Sequence, residues 1–162
     1  DPVQELGPEV LAHRLGICDS DGLREIAAGA LLHDVGKRHI PPSVLNKPGK
    51  LDAEERAIIE THTVIGEELL RKVGGVLSEV GAIVRSCHER WDGAGYPDGL
   101  SGQAIPLVAR IVCTCDAFSA MTTTRSYRKA MPLEAAIAEL RACSGTQFDP
   151  EVAAALEELA VE

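Results

Sequence analysis

Leu31-Leu32-His33-Asp34-Val35-Gly36-Lys37 is the stretch on which the reading of this chain turns: an apolar run delivers an imidazole and a carboxylate side by side, followed by glycine and lysine. Imidazole nitrogen and carboxylate oxygen are ligands for first-row divalent metals. A carboxylate can also bridge two ions, and lysine supplies a compact positive charge for an anionic substrate. A second reading stands beside this one. Ala27 to Leu32 is then simply a buried helix, with Gly36 as its C-terminal cap and Lys37 and Arg38 complementing its dipole. That account explains the glycine and the cations but leaves the His-Asp pair without a reason, and the residues alone keep both readings open.

The 162 residues fit one domain, and a hydrophobic content of 45% suffices for one sizeable core. Only one Trp, two Tyr and two Phe contribute aromatic bulk, so Leu, Ile, Val and Ala must build that core. Such a core suits helices better than a β-sandwich, and the expected fold class is all-α, a helical bundle. A net charge of −9 argues against a surface for polymeric nucleic acid or anionic membrane, since counterion-release binding needs a basic face. A small anionic ligand remains compatible if local cations or metal ions offset that field. Cys18, Cys87, Cys113, Cys115 and Cys143 form no CxxC pair, and their odd number leaves at least one unpaired in a monomer. A reducing, cytoplasmic setting is expected. No apolar run approaches the length of a membrane span, and the acidic N-terminus lacks a signal-peptide pattern.

Outward from the central stretch, Val3 to Leu15 has roughly helical spacing, with Gly7-Pro8 kinking or restarting the helix. Asp19-Ser20-Asp21 reads as an N-cap cluster for a helix from Gly22 to His33. Arg38 to Pro48 reads as a connector broken by prolines. Asp52 and Glu55 resemble a capping box opening a helix to His62. A further helical piece runs through Ile65, Leu69 and Leu70 to Gly74-Gly75, and another from Leu77 to Glu89. Trp91 to Gly102, rich in glycine and carrying Pro97, reads as a long structured turn. Ile105 to Thr124 reads as the longest helix, with Asp116 in the middle of its apolar face. Pro132 to Cys143 and Pro150 to Leu159 close the chain.

Polar groups that sit oddly in this pattern are His33, Asp34, His62, Cys87, His88 and Asp116, spread over four helices or helix ends. Metal sites in helical bundles are assembled from inward-facing residues of different helices, so ligands need not be close in sequence. Singly, each has an ordinary explanation: His62 as a surface histidine, Cys87 as an inert buried thiol, Asp116 as an acid satisfied by Arg110 or Arg125. His13 and His39 read as surface or loop residues.

The motifs HDVGKRHIPPSVLNKPGKL, ETHTVIGEELL, CHERWDGAGYPDGLSGQAIPLVARIV, CDAF, TRSYRKAM and FDPEV occur in the order of the signature series of HD-GYP domains, which the chain resembles over nearly its whole length. The resemblance implies an all-helical HD-superfamily domain with a metal centre in its core. It implies hydrolysis of cyclic di-GMP to linear pGpG, in some members on to GMP, with iron or manganese, two divalent ions in an intact site. It matches His33, Asp34, His62, His88 and Asp116 to metal ligands, Lys37 to a substrate-side lysine and Tyr96 to the tyrosine of the GYP motif. Arg125 and Arg128 match basic positions facing the substrate phosphates.

Chemically, cations sharing Asp34 would activate water for in-line attack on a phosphodiester, while Lys37, Arg125 and Arg128 stabilise phosphate charge. Two departures stand out. Cys87 occupies a position where the family has a histidine, and Ser119 one where aspartate is common. A further family histidine would fall at or before Asp1, so the expectation is a single HD-GYP domain over 1–162, truncated at its N-terminus and cut from a larger signalling protein. Expected partners are cyclic di-GMP, an upstream sensory or receiver domain, and a second copy in a homodimer. The rival expectations are a catalytically impaired cyclic-dinucleotide-binding or protein-interaction module, and an HD phosphohydrolase acting on another nucleotide.

Overall fold

The computed structural model describes residues 6–124 and 129–162, and among them the chain forms nine α-helices and no strand. These are α1 (Pro8–Arg14), α2 (Ser20–Leu32), α3 (Pro42–Leu45), α4 (Ala53–Glu60), α5 (His62–Val73), α6 (Val76–Ser86), α7 (Leu107–Thr122), α8 (Leu133–Ala142) and α9 (Pro150–Val161). The cap residues act as the sequence demands. Asp19 accepts the Gly22 amide at 2.8 Å and starts α2. Asp52 and Glu55 exchange reciprocal bonds of 2.9 Å in a capping box that starts α4. Asp149 caps α9, with Pro150 in its first turn.

Three differences from the sequence reading have physical causes. The connector after Arg38 contains α3, because Pro42 at the start of a helix forfeits only an amide that would be unpaired there. The helix expected to reach Glu89 ends at Ser86, which places His88 and Glu89 in the turn beyond it. Asp116 does not lie within the buried face of α7; its side chain is 46% exposed, at the edge of a face formed by Ala109, Ile111, Val112, Cys115, Phe118 and Met121.

The main core joins α1, α2, α7, α8 and α9 around Leu11, Ile26, Ile111, Phe118, Leu140 and Leu156. Ile83, Cys87, Ile105, Ala109 and Val112 pack α6 against α7, and Leu70, Val80 and Val84 pack the α5–α6 hairpin. Arg110 ties these parts together. Its guanidinium pairs with buried Asp149 at the start of α9, donates to the Ile105 carbonyl at 2.9 Å, and lies 5.8 Å from the centroid of the Trp91 ring.

The turn after α2 continues as a 3-10 segment, Val35–His39, and rests on the start of α5. Gly36 is the contact point: a Cβ there would lie 1.9 Å from the His62 carbonyl oxygen and 2.8 Å from the Gly66 amide nitrogen. Backbone cannot swing aside as a side chain does, so only glycine permits this approach. Gly36→Ala is expected to destabilise the fold by about 3 kcal/mol, the upper range for overpacking, with a matching fall in denaturation midpoint. A midpoint unchanged in urea would mean that the turn is not held against α5.

Candidate metal centre

Three elements converge beyond that contact. Asp34 comes from the turn after α2, His62 from the first residue of α5 and His88 from the turn after α6, and their donor atoms lie within 4.8 Å of one another. Asp34 Oδ1 is 3.5 Å from His62 Nε2 and 4.0 Å from His88 Nε2. These three atoms are buried and without a hydrogen-bond partner among the described residues. Leaving such groups unpaired costs about 1–3 kcal/mol each, and a divalent cation among them removes that cost. An oxygen and two imidazole nitrogens are a donor set that first-row divalent metals accept.

The histidines are oriented by their other nitrogens. His62 Nδ1 lies 2.6 Å from the Ile59 carbonyl and His33 Nδ1 lies 2.8 Å from the Ala30 carbonyl. Each contact takes a proton on Nδ1 and turns Nε2 into the site, where a metal would be bound. His33 Nε2 lies 3.6 Å from Asp34 Oδ2 and 3.8 Å from Asp116 Oδ1, which puts His33 and Asp116 beside the Asp34–His62–His88 group. Lys37 donates to Asp34 Oδ2 at 2.7 Å. A cavity of about 220 Å³ opens beside His33 and Asp116, bordered by Ala30, Val112, Ser119 and the start of α1.

Burial by itself would raise the pKa of the Asp34 carboxyl. The neighbouring His62 and His88 imidazoles, the Lys37 ammonium and His33 outweigh burial and hold it well below the ordinary carboxylate range. Cys87 contrasts with it. Its thiol donates to the Ile83 carbonyl at 3.2 Å, and burial pushes its pKa far above that of a free thiol. Cys87 borders a cavity of about 90 Å³ shared with His33, His88, Cys113 and Asp116, but it is not part of the Asp34–His62–His88 group.

Tyr96 stacks on His88, with centroids 5.1 Å apart and planes 5° from parallel. Burial raises its hydroxyl pKa to about 12, so the phenol stays protonated at neutral pH. Arg125 and Arg128 lie outside the described residues. The sequence reading missed Glu89, Arg85 and the constraint at Gly36. Glu89 and Arg85 each look like ordinary surface charges in a polar stretch, and only folding reveals what they hold.

An all-helical bundle with adjacent His and Asp at a helix end, and histidines from two further elements facing them, defines the HD class of metal-centre domain. The family model described as HD domain matches residues 9–152, and the chain belongs to that family. It is 46% identical over 148 residues to the cyclic di-GMP phosphodiesterase response regulator RpfG of Xanthomonas campestris, an alignment covering 91% of this chain and 39% of that protein. It is 43% identical to a cyclic di-GMP phosphodiesterase of Thermotoga maritima, covering 85% and 38% of the two chains. It is 42% identical to the 3'3'-cGAMP-specific phosphodiesterase 2 of Vibrio cholerae, covering 89% and 28%. The chain thus spans less than half the length of these relatives. Two solved structures share the fold at a TM-score of 0.72. One is the V. cholerae cyclic GMP-AMP phosphodiesterase V-cGAP3, 23% identical, with 96% of this chain and 42% of that one covered. The other is the HDG"Y"P protein Bd1817 of Bdellovibrio bacteriovorus, 24% identical, with 94% and 48% covered.

If the unpaired donors hold a cation, metal must stabilise the fold. At 100-fold excess over its Kd, Mn²⁺ added to chelator-treated protein is expected to contribute about 2.7 kcal/mol. For a domain of this size that raises Tm by roughly 5–10 °C. His62→Ala is expected to abolish the rise. Thermal curves that do not respond to Mn²⁺, Fe²⁺, Co²⁺ or Zn²⁺ would contradict the assignment.

Proposed function

We propose that this chain is a single HD-GYP domain of a larger bacterial signalling protein, acting in the cytoplasm as a metal-dependent phosphodiesterase that opens cyclic di-GMP to linear pGpG. The observation that carries this reading is the convergence of Asp34 Oδ1, His62 Nε2 and His88 Nε2, buried and unpaired. The relatives in Xanthomonas and Thermotoga are cyclic di-GMP phosphodiesterases, which supports the substrate. Iron or manganese held by Asp34, His62 and His88, with His33 and Asp116 as donors toward a second ion, would supply Lewis-acid polarisation and a nucleophile at neutral pH.

The remaining work falls to the chain's own residues. Lys37 already neutralises one oxygen of Asp34 and is about one-third exposed, so its ammonium can also meet a substrate phosphate oxygen. Tyr96 covers one side of the site with its ring stacked on His88. Arg125 and Arg128 are assigned to phosphate charge by their sequence positions. The Cys87 sulfur, bonded to Ile83 and packed with Ile105, Ala109 and Val112, is assigned to the core and not to the ligand set. No nucleophilic side chain is required, because the attacking oxygen comes from water.

A second substrate deserves a place in the assay, since relatives of comparable identity are specific for 3'3'-cGAMP. The anaerobic protein, saturated with Fe²⁺ or Mn²⁺, is to be given each cyclic dinucleotide and the products separated. pGpG from cyclic di-GMP is the expected product. Cleavage confined to cGAMP would reassign the substrate, and binding of either without product would make the chain a sensor module. Lys37→Ala is expected to lower kcat/KM about 100-fold, the scale for losing one charge-stabilising donor, with metal content retained. Equal loss of metal and activity would place Lys37 in the metal shell instead.

A further inference from the structure

Glu89 is an acid where none is expected. It is 3% exposed, and among the described residues no cation pairs with it. Buried carboxylates require partners, and those of Glu89 are two amides of one loop: Oε1 accepts from Asp98 at 2.7 Å and Oε2 from Leu100 at 2.9 Å. Both ends of the carboxylate are thus spent on shaping the Trp91–Gly102 loop. Arg85 grips the same segment from α6, with bonds of 2.7 and 2.8 Å to Asp98 and one of 2.9 Å to Glu67 on α5. The loop doubles back tightly over the chain it leaves. A Cβ on Gly95 would lie 2.4 Å from the Arg90 amide nitrogen and 2.6 Å from the His88 carbonyl oxygen, and the Tyr96 amide donates to that carbonyl at 3.2 Å.

The result is a phenol ring set over two imidazoles, parallel to His88 at 5.1 Å and edge-on to His62 at 6.3 Å and 72°. His33 and His62 have ring planes fixed by backbone carbonyls. His88 has no such carbonyl among the described residues; its ring is set between the His62 edge, 4.9 Å away at 75°, and the flat face of Tyr96. We propose that Glu89 is a positioning residue of the metal centre: by clamping the loop it holds Tyr96 flat on His88, and so sets the orientation and metal affinity of that ligand. This inference rests on the reading that His88 binds metal.

The test is a Co²⁺ titration of the chelator-treated chain followed by its visible absorption bands, with circular dichroism reporting folding. Loss of an outer partner of a metal-ligating histidine costs about 10–100-fold in metal affinity. Tyr96→Ala and Glu89→Gln are each expected to weaken Co²⁺ at least about 10-fold on that scale and to shift the bands, while the helical signal stays unchanged. Tyr96→Phe, which keeps the ring and loses the hydroxyl, is expected to match the wild type in both. Should Glu89→Gln fail to fold, Arg85→Ala loosens the same loop at the surface and is expected to weaken Co²⁺ in the same direction. A folded Tyr96→Ala or Glu89→Gln protein with wild-type affinity and spectrum overturns the clamp. A wild-type chain that takes up no Co²⁺ overturns instead the metal reading beneath it.

Discussion

The contact between Gly36 and the His62 carbonyl governs where everything else in the site can be. Asp34 sits two residues before that contact and His62 carries the carbonyl itself, so a single backbone-to-backbone approach sets the separation of carboxylate and imidazole at 3.5 Å. Any side chain at position 36 would push the turn away from α5 and pull that pair apart. The α5–α6 hairpin then carries the geometry onward, because the packing of Leu70, Val80 and Val84 fixes where α6 ends and hence where His88 emerges.

The core that supports this is aliphatic and has little to do with polarity, whereas the site accumulates uncompensated polar atoms at the junction of three elements. In the metal-free chain those atoms lower stability. This is the usual relation between a preorganised site and its scaffold, in which strain or unpaired groups are tolerated at the functional end and offset by packing elsewhere. The buried Arg110–Asp149 pair works on the opposite side of the same loop, with Trp91 packed against the guanidinium. The glycine-rich segment is therefore held toward both ends, by Glu89 and Arg85 at Asp98 and Leu100 and by hydrogen bonds from the Trp91 and Asp92 amides to the Gln147 and Thr146 carbonyls.

The helices were legible where local chemistry determines them. Asp19 and Asp52 cap helices where their side-chain oxygens can reach free amides, Pro150 opens the last helix, and periodic aliphatics fill the faces between. What could not be read was anything set by contacts distant in sequence. The end of α6 at Ser86 depends on residues 95–100 folding back on 88–90, and no period in the sequence encodes that. Asp116 looked buried because its neighbours are apolar, yet the helix turns it to the edge, where it meets His33. The odd polarity of His33, Asp34, His62 and His88 marks them as candidate ligands, but spacing does not establish that they converge; that expectation comes from the resemblance to HD-GYP domains. The role of Cys87 is undecidable from residue type, since a thiol serves equally as ligand or as core, and the Ile83 carbonyl beneath it is what favours the core.

The Nδ1 contacts of His33 and His62 reach into helix termination. Ala30 lies in the last turn of α2 and Ile59 in the last turn of α4, where helix carbonyls outrun the supply of intrahelical amides. Each imidazole therefore serves two masters, stopping a helix with one nitrogen while offering a lone pair with the other. Aspartate or glutamate would be as acceptable to a hard divalent ion, but a carboxylate has no proton to give the carbonyl and would set acceptor against acceptor. The choice of histidine at these two positions is thus imposed by the backbone as well as by the metal, and drift at either toward other ligand types meets a folding barrier before a chemical one.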